Sequence, residues 1–114
     1  MLEIILLLTG GALGSVTRYS LGKKLSTIQK TLPIGTFLIN VTGAFLLGLV
    51  SNLNFSDITY IFLAEGFLGA YTTFSTFMYE DFIFLKDNKV LSAFLYVFMT
   101  IILSFIFFYL GNNL

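Results

Sequence analysis

Long apolar stretches alternate with short polar ones along this chain, and the lengths of the apolar stretches decide how it is read. Four of them cover residues 2–21, 32–53, 58–85 and 90–110. Each reaches the roughly 20 residues that carry a helix across a bilayer. Helix is the predicted state, because lipid offers no partner for a bare N–H or C=O and a helix satisfies both within one segment. The connectors, GKKLSTIQKT, SNLNFSD and KDNK, are short and polar. Pro33, the single proline, falls where it can open the second helix at little cost. The predicted fold is an all-α integral membrane protein, one unit of four transmembrane helices over residues 1–114. No internal repeat or linker interrupts it. The first run does not have the pattern of a signal peptide: its leading charge is Glu3 and its apolar part is too long.

Composition supports lipid as the solvent. The chain is 57% hydrophobic and only 11% charged, whereas soluble domains are about a quarter charged. There is no cysteine and no histidine. That excludes disulfides, thiolate or imidazole metal sites, thiol nucleophiles and imidazole catalysis. A formal net charge of zero argues against a nucleic-acid binder. Nothing in the chain points to an enzyme.

The few charges are sided. Four spans place both termini and the middle loop on one side of the membrane. Arg18, Lys23, Lys24 and Lys30 belong at or near the first loop and Lys86 and Lys89 to the third, so all six basic residues share the other side. Lys and Arg in short loops are retained in the cytoplasm, which predicts both termini outside.

The third run contains GFLGAYTTFSTF, residues 66–77. A straight helix over residues 58–85 is about 40 Å long against a hydrocarbon core of about 30 Å. Tilt absorbs the excess, or a break does, and Gly66, Gly69 and the neighbouring Thr72 and Thr73 are where a break is expected. Freed carbonyls in a broken membrane helix are a recurring way to hold Na⁺. The other reading is that the glycines only allow close helix packing. Phe74 and Phe77 are three apart and share a face, with Ser75 and Thr76 between them. Ring edges are electropositive, and together with hydroxyls they suit a small anion. Taken alone, the two rings are more simply read as packing.

In the second run Thr36, Asn40, Ala44 and Gly48 recur every four residues as one narrow, small and polar face. Asn40 brings two N–H donors; its plainer role is interhelical glue. In the fourth run Tyr96, Thr100 and Ser104 align three hydroxyls along about 12 Å of helix, which suits the lining of a path that needs hydrogen bonds. In the first run Gly10 and Gly14 have the spacing of close helix contact. Arg18 either snorkels or concentrates anions in a vestibule. Glu65 is an acid set inside a span and has no assigned role.

GGALGSVTRY in the first run, GTFLINVTGAF in the second and GFLGAYTTFSTF in the third, in this order and length, resemble the small microbial fluoride channels of the Fluc or CrcB family. The resemblance implies four-helix subunits with a broken third helix, paired as an antiparallel dimer with two narrow pores. It implies passive fluoride export, and a structural Na⁺ that is not transported, held at the dimer centre by backbone carbonyls. Carried onto this chain, those carbonyls are Gly69 and Thr72. The fluoride pore is formed by Asn40, Phe74, Ser75, Thr76, Phe77, Tyr96, Thr100 and Ser104, with Arg18 in the vestibule. The six-to-none charge bias departs from what a dual-topology homodimer needs. It suggests a homologous partner of opposite orientation, with a homodimer as the other possibility. Two competing functions are a four-helix multidrug/proton antiporter and a non-conducting assembly subunit. The first relies on an acid within the first helix, where only Glu3 stands, at its start. The second leaves the three aligned hydroxyls unexplained.

Overall fold

A computed structural model describes residues 1–26 and 33–114; the regular structure among the described residues is all helical, with no strand. Helix α1 covers Leu2–Ser26 and α2 covers Ile34–Asn52. The third run is built in pieces: α3 at Asp57–Tyr60, a π-helical stretch at Ile61–Leu68, α4 at Gly69–Tyr71, and α5 at Ser75–Lys86. Helix α6 closes the chain at Val90–Asn112. Three of these, α1, α2 and α6, are long and apolar enough to cross a membrane. The chain is thus an all-helical, multi-pass membrane protein with one bent and interrupted segment.

Two ends differ from the sequence expectation. The first helix passes residue 21 and continues to Ser26, so Arg18, Lys23 and Lys24 ride on its last turns and not on a loop. Lys23 and Lys24 are followed closely by polar residues, and basic groups near a helix C-terminus are favoured by its dipole. Lys30 lies outside the described residues. Pro33 sits one position before α2, where its carbonyl accepts the Phe37 N–H at 3.1 Å.

Local chemistry sets the limits of the third run. Ser56 caps α3, its hydroxyl accepting the Thr59 N–H at 3.3 Å, and Asp57 follows in the first turn. At the far end Asn88 takes φ 60°, the left-handed conformation that asparagine tolerates. The Lys89 N–H then reaches the Phe84 carbonyl at 2.8 Å and the Asn88 N–H reaches Leu85 at 3.1 Å. That reverse turn is the Schellman closure, and it starts α6 directly.

Glycine backbones set the two principal packings. Helix α1 lies against the π-helical stretch, and a methyl on Gly10 would stand 2.5 Å from the Phe62 carbonyl oxygen. Helix α2 lies along α6 where Gly48 meets the backbone of Phe108 and Gly111 that of Phe45. The outer surface remains apolar: Leu8, Val16, Leu91, Phe98 and Phe105 are all exposed. Lipid or a partner covers such a surface, because water does not.

Candidate functional site

The interruption of the third segment organises the site. Thr72 is extended (φ −80°, ψ 156°), and α5 restarts at Ser75. Asn40 of α2 replaces the lost helical bonds on both sides of one residue. Its Oδ1 accepts the Thr73 N–H at 2.8 Å, and its Nδ2 donates to the Thr73 carbonyl at 2.8 Å. Arg18 of α1 donates from Nε to the Ala70 carbonyl at 3.0 Å. The Thr73 hydroxyl caps α5 by accepting the Thr76 N–H at 3.2 Å. An unsatisfied backbone group is costly away from water, so these side chains are what make the break affordable.

These bonds also divert two donors. In an α-helix the Thr73 N–H belongs to the Gly69 carbonyl and the Thr76 N–H to the Thr72 carbonyl. Here the first goes to Asn40 and the second to the Thr73 hydroxyl. Gly69 and Thr72 are thereby left with carbonyl oxygens that have lost their helical partners. No cluster of three His, Cys, Asp or Glu that could hold a metal exists among the described residues. Neutral carbonyl oxygens are ligands for a hard monovalent cation.

A cleft of about 580 Å³ opens at the break. Asn40 and Ala44 line it from α2, Gly69, Thr72, Phe74 and Phe77 from the third segment, and Thr100 and Ser104 from α6. Thr100 is only 5% exposed, and its Oγ1 is buried with no hydrogen-bond partner among the described residues. A buried hydroxyl without a partner is costly, and this one belongs to a residue of the cleft wall. Phe74 and Phe77 stand edge to face, centroids 6.3 Å apart, as the shared face predicts. Their environments differ: Phe77 is 6% exposed and Phe74 72%.

The other expected residues divide between two further cavities. Arg18 and Thr76 line one of about 310 Å³, with Lys23, Thr36 and Thr73. Tyr96 lines one of about 270 Å³ with Phe84 and Met99, so the hydroxyl row of α6 is split, with Tyr96 apart from Thr100 and Ser104. The Phe77 ring is the partition, since it walls the cleft and also meets the Tyr96 ring edge to face at 5.0 Å. Ser75 is exposed and lines none of the three.

Two expectations need correction and one residue is new. Gly66 is not a break point: it lies within the π-helical stretch and packs on α1, where a methyl would come 2.9 Å from the Leu7 carbonyl oxygen. Gly69 is helical as well, so the chain opens only at Thr72, Thr73 and Phe74. The Asn40 amide binds Thr73 with its oxygen and one N–H, the interhelical role, and keeps its second N–H as a donor on the wall of the cleft. The new residue is Glu80 of α5. Tyr96 donates its hydroxyl to Glu80 at 3.0 Å, and Thr36 is hydrogen-bonded to the same carboxylate. The signal for it was an acid pair, Glu80 and Asp81, set within the third apolar run.

Known proteins match this chain over nearly its whole length. The family model described as CrcB-like protein, Camphor Resistance (CrcB), matches residues 5–112. A protein of Clostridium acetobutylicum named fluoride-specific ion channel FluC 2 is 46% identical, with 97% of this chain and 96% of that protein covered. The fluoride-specific ion channel FluC of Gloeothece citriformis is 42% identical over 97% of this chain and 94% of its own. FluC 1 of Methanosarcina acetivorans is 40% identical over 98% and 89%.

Proposed function

This chain belongs to the CrcB family, and from that premise we propose that it is a subunit of a fluoride-selective channel, not an enzyme. It lets fluoride leave the cell passively and so lowers its cytoplasmic concentration and toxicity. The observation that carries the reading is the cleft at the break, where the partnerless Thr100 hydroxyl stands with Ser104 and the rings of Phe74 and Phe77. Fluoride holds its water strongly, so a path for it must replace hydration by many weak donors. Hydroxyls, the spare Asn40 N–H and aromatic edges are such donors, and none binds an anion too tightly for release. Arg18, fixed by its bond to Ala70, puts a positive charge beside the neighbouring cavity and raises the local anion concentration.

The chemistry of the break supports a bound Na⁺. Gly69 and Thr72 would hold it through their carbonyls, together with the same pair from a second subunit. The ion would supply a fixed positive charge beside the fluoride path and would not itself move. The proposed subunit has four membrane spans, the interrupted segment being the third, and pairs with a second subunit in inverted orientation. All six basic residues lie toward one membrane face in that arrangement, so the termini are assigned outside and the partner is a homologue of opposite bias. A homodimer is the second form.

Fluoride efflux from proteoliposomes, with chloride as control and with the partner subunit included, tests the function. Fluoride release without chloride release is expected. Equal release of both, or proton-coupled drug transport in its place, would remove the fluoride reading. A multidrug/proton antiporter finds no support in the cleft, which contains no acid among its lining residues.

A further inference from the structure

One strip of the third segment remains uncovered. Glu65, Gly69, Phe74, Ser75 and Tyr79 are exposed, while Gly66 is pressed against α1 on another side. For a surface facing hydrocarbon the strip is too polar. It holds a carboxylate, a carbonyl whose helical donor is diverted, and two hydroxyls. Glu65 makes no hydrogen bond or ion pair with a described residue, and an acid inside a span calls for a partner.

The order of these groups along the strip is informative. The acceptor, Glu65, lies before the break, and the donors, Ser75 and Tyr79, lie after it, four residues apart on one face of α5. Midway between Glu65 and Ser75 is Ala70; midway between Glu65 and Tyr79 is Thr72. Both midpoints fall in the short stretch where carbonyls have lost their donors. A second copy laid across this point in the opposite direction sets each Glu65 against the other copy's Ser75 and Tyr79. The same match is then made twice, as a two-fold interface requires. A copy laid in the same direction sets carboxylate on carboxylate. Acyl chains offer no donor at all.

We propose that Glu65 is an intersubunit anchor whose carboxylate accepts a hydrogen bond from Ser75 or Tyr79 of an inverted second copy. This rests on the inverted pairing proposed above, in its homodimeric form, and assigns the contact that favours it. The strip is complementary to itself only in reverse, so the orientation of the pair follows from the order of its polar groups.

The chain lacks cysteine, so engineered pairs report without background. E65C/S75C and E65C/Y79C, each in detergent with a second copy of this chain as the probe, are oxidised and scored for covalent dimer. Within one chain these positions are about 15 Å or more apart along the segment, beyond the roughly 7 Å that a disulfide tolerates between Cα atoms. A covalent product therefore reports a contact between chains. At least one double variant is expected to cross-link about tenfold more than E65C alone, and Glu65→Ala, which removes the contact from both copies, to weaken self-association about tenfold, the worth of two interhelical hydrogen bonds of about 0.7 kcal/mol each. Cross-linking of E65C alone at the level of the pairs, or no covalent dimer in either pair, would overturn the proposal, and so would lipid covering the strip, which gives the second result. Efflux is scored separately. Wild-type vesicles that release fluoride while the pairs fail to cross-link leave the channel standing without this anchor. Cross-linked pairs from a chain that conducts no fluoride, alone or with the partner subunit, leave the anchor and remove the channel.

Discussion

Before its break the third segment meets α1 backbone to backbone at Gly10, Gly14 and Gly66, whereas after the break it meets α6 ring to ring, Phe77 and Phe84 against Tyr96. Both contacts join the same segment to a neighbouring helix, but they leave different amounts of space. Glycine contacts bring main chains together and close every gap, which suits a part that must hold the break in place. Aromatic edges meet at angles and leave room beside them: the cavity of about 270 Å³ lies there, and the cleft of about 580 Å³ spans the break and opens toward the same side. The segment is thus clamped at one end and porous at the other, and the polar groups expected to meet an ion collect at the porous end.

The contrast can be broken most completely from the clamped end. A methyl on Gly14 would lie 2.9 Å from the Phe67 carbonyl carbon and collide with its oxygen. Gly14→Val is expected to cost about 3 kcal/mol and to abolish the monodisperse peak in size-exclusion chromatography. Next comes the hinge between the two regions. Asn40→Ala strips both bonds from Thr73 and is expected to cost about 2 kcal/mol in detergent unfolding, with fluoride efflux lost. Asn40→Asp keeps the acceptor for the Thr73 N–H but sets a carboxylate oxygen against the Thr73 carbonyl inside a span, so it should be at least as unstable as Asn40→Ala. An Asn40→Ala protein as stable as wild type would show that the break is held by something else.

At the porous end effects should appear in flux more than in folding. Phe74→Ile and Phe77→Ile are each expected to slow fluoride efflux at least about tenfold, a barrier change of roughly 1.4 kcal/mol, while dimer assembly persists. Thr100→Val keeps the shape and removes the partnerless hydroxyl. Its stability should be unchanged or higher, because that hydroxyl has no bond to lose, and efflux should fall only a few-fold. Unchanged efflux in all three variants would move the ion path away from this cleft.

Much of the architecture was legible in the residues. The lengths of the four apolar runs, the absence of Cys and His and the position of Pro33 led to helices in lipid because those are local properties. An interruption was legible only as one of two ways to absorb the excess length of the third run, tilt being the other; its confinement to Thr72 and Thr73 was not, because Gly66 and Gly69 look equally able to break a helix. Gly66 is spent on close packing against α1, a use that only the facing Leu7 and Gly10 reveal. The α6 hydroxyls were correctly aligned on one helix face, yet Phe77 divides Tyr96 from Thr100 and Ser104, and Glu80 escaped notice because its partners Tyr96 and Thr36 are on other helices.

By itself the order of residues determined the solvent, the helical state and the motif that places the chain in its family. All of these depend on runs and spacings within one segment. The coordinates alone decided which side chains complete the break, because Arg18 reaches Ala70 across 52 positions and Asn40 reaches Thr73 across 33. A backbone group that loses its helical partner in lipid must find another, and the identity of that partner is set by how the helices pack, which no local pattern records.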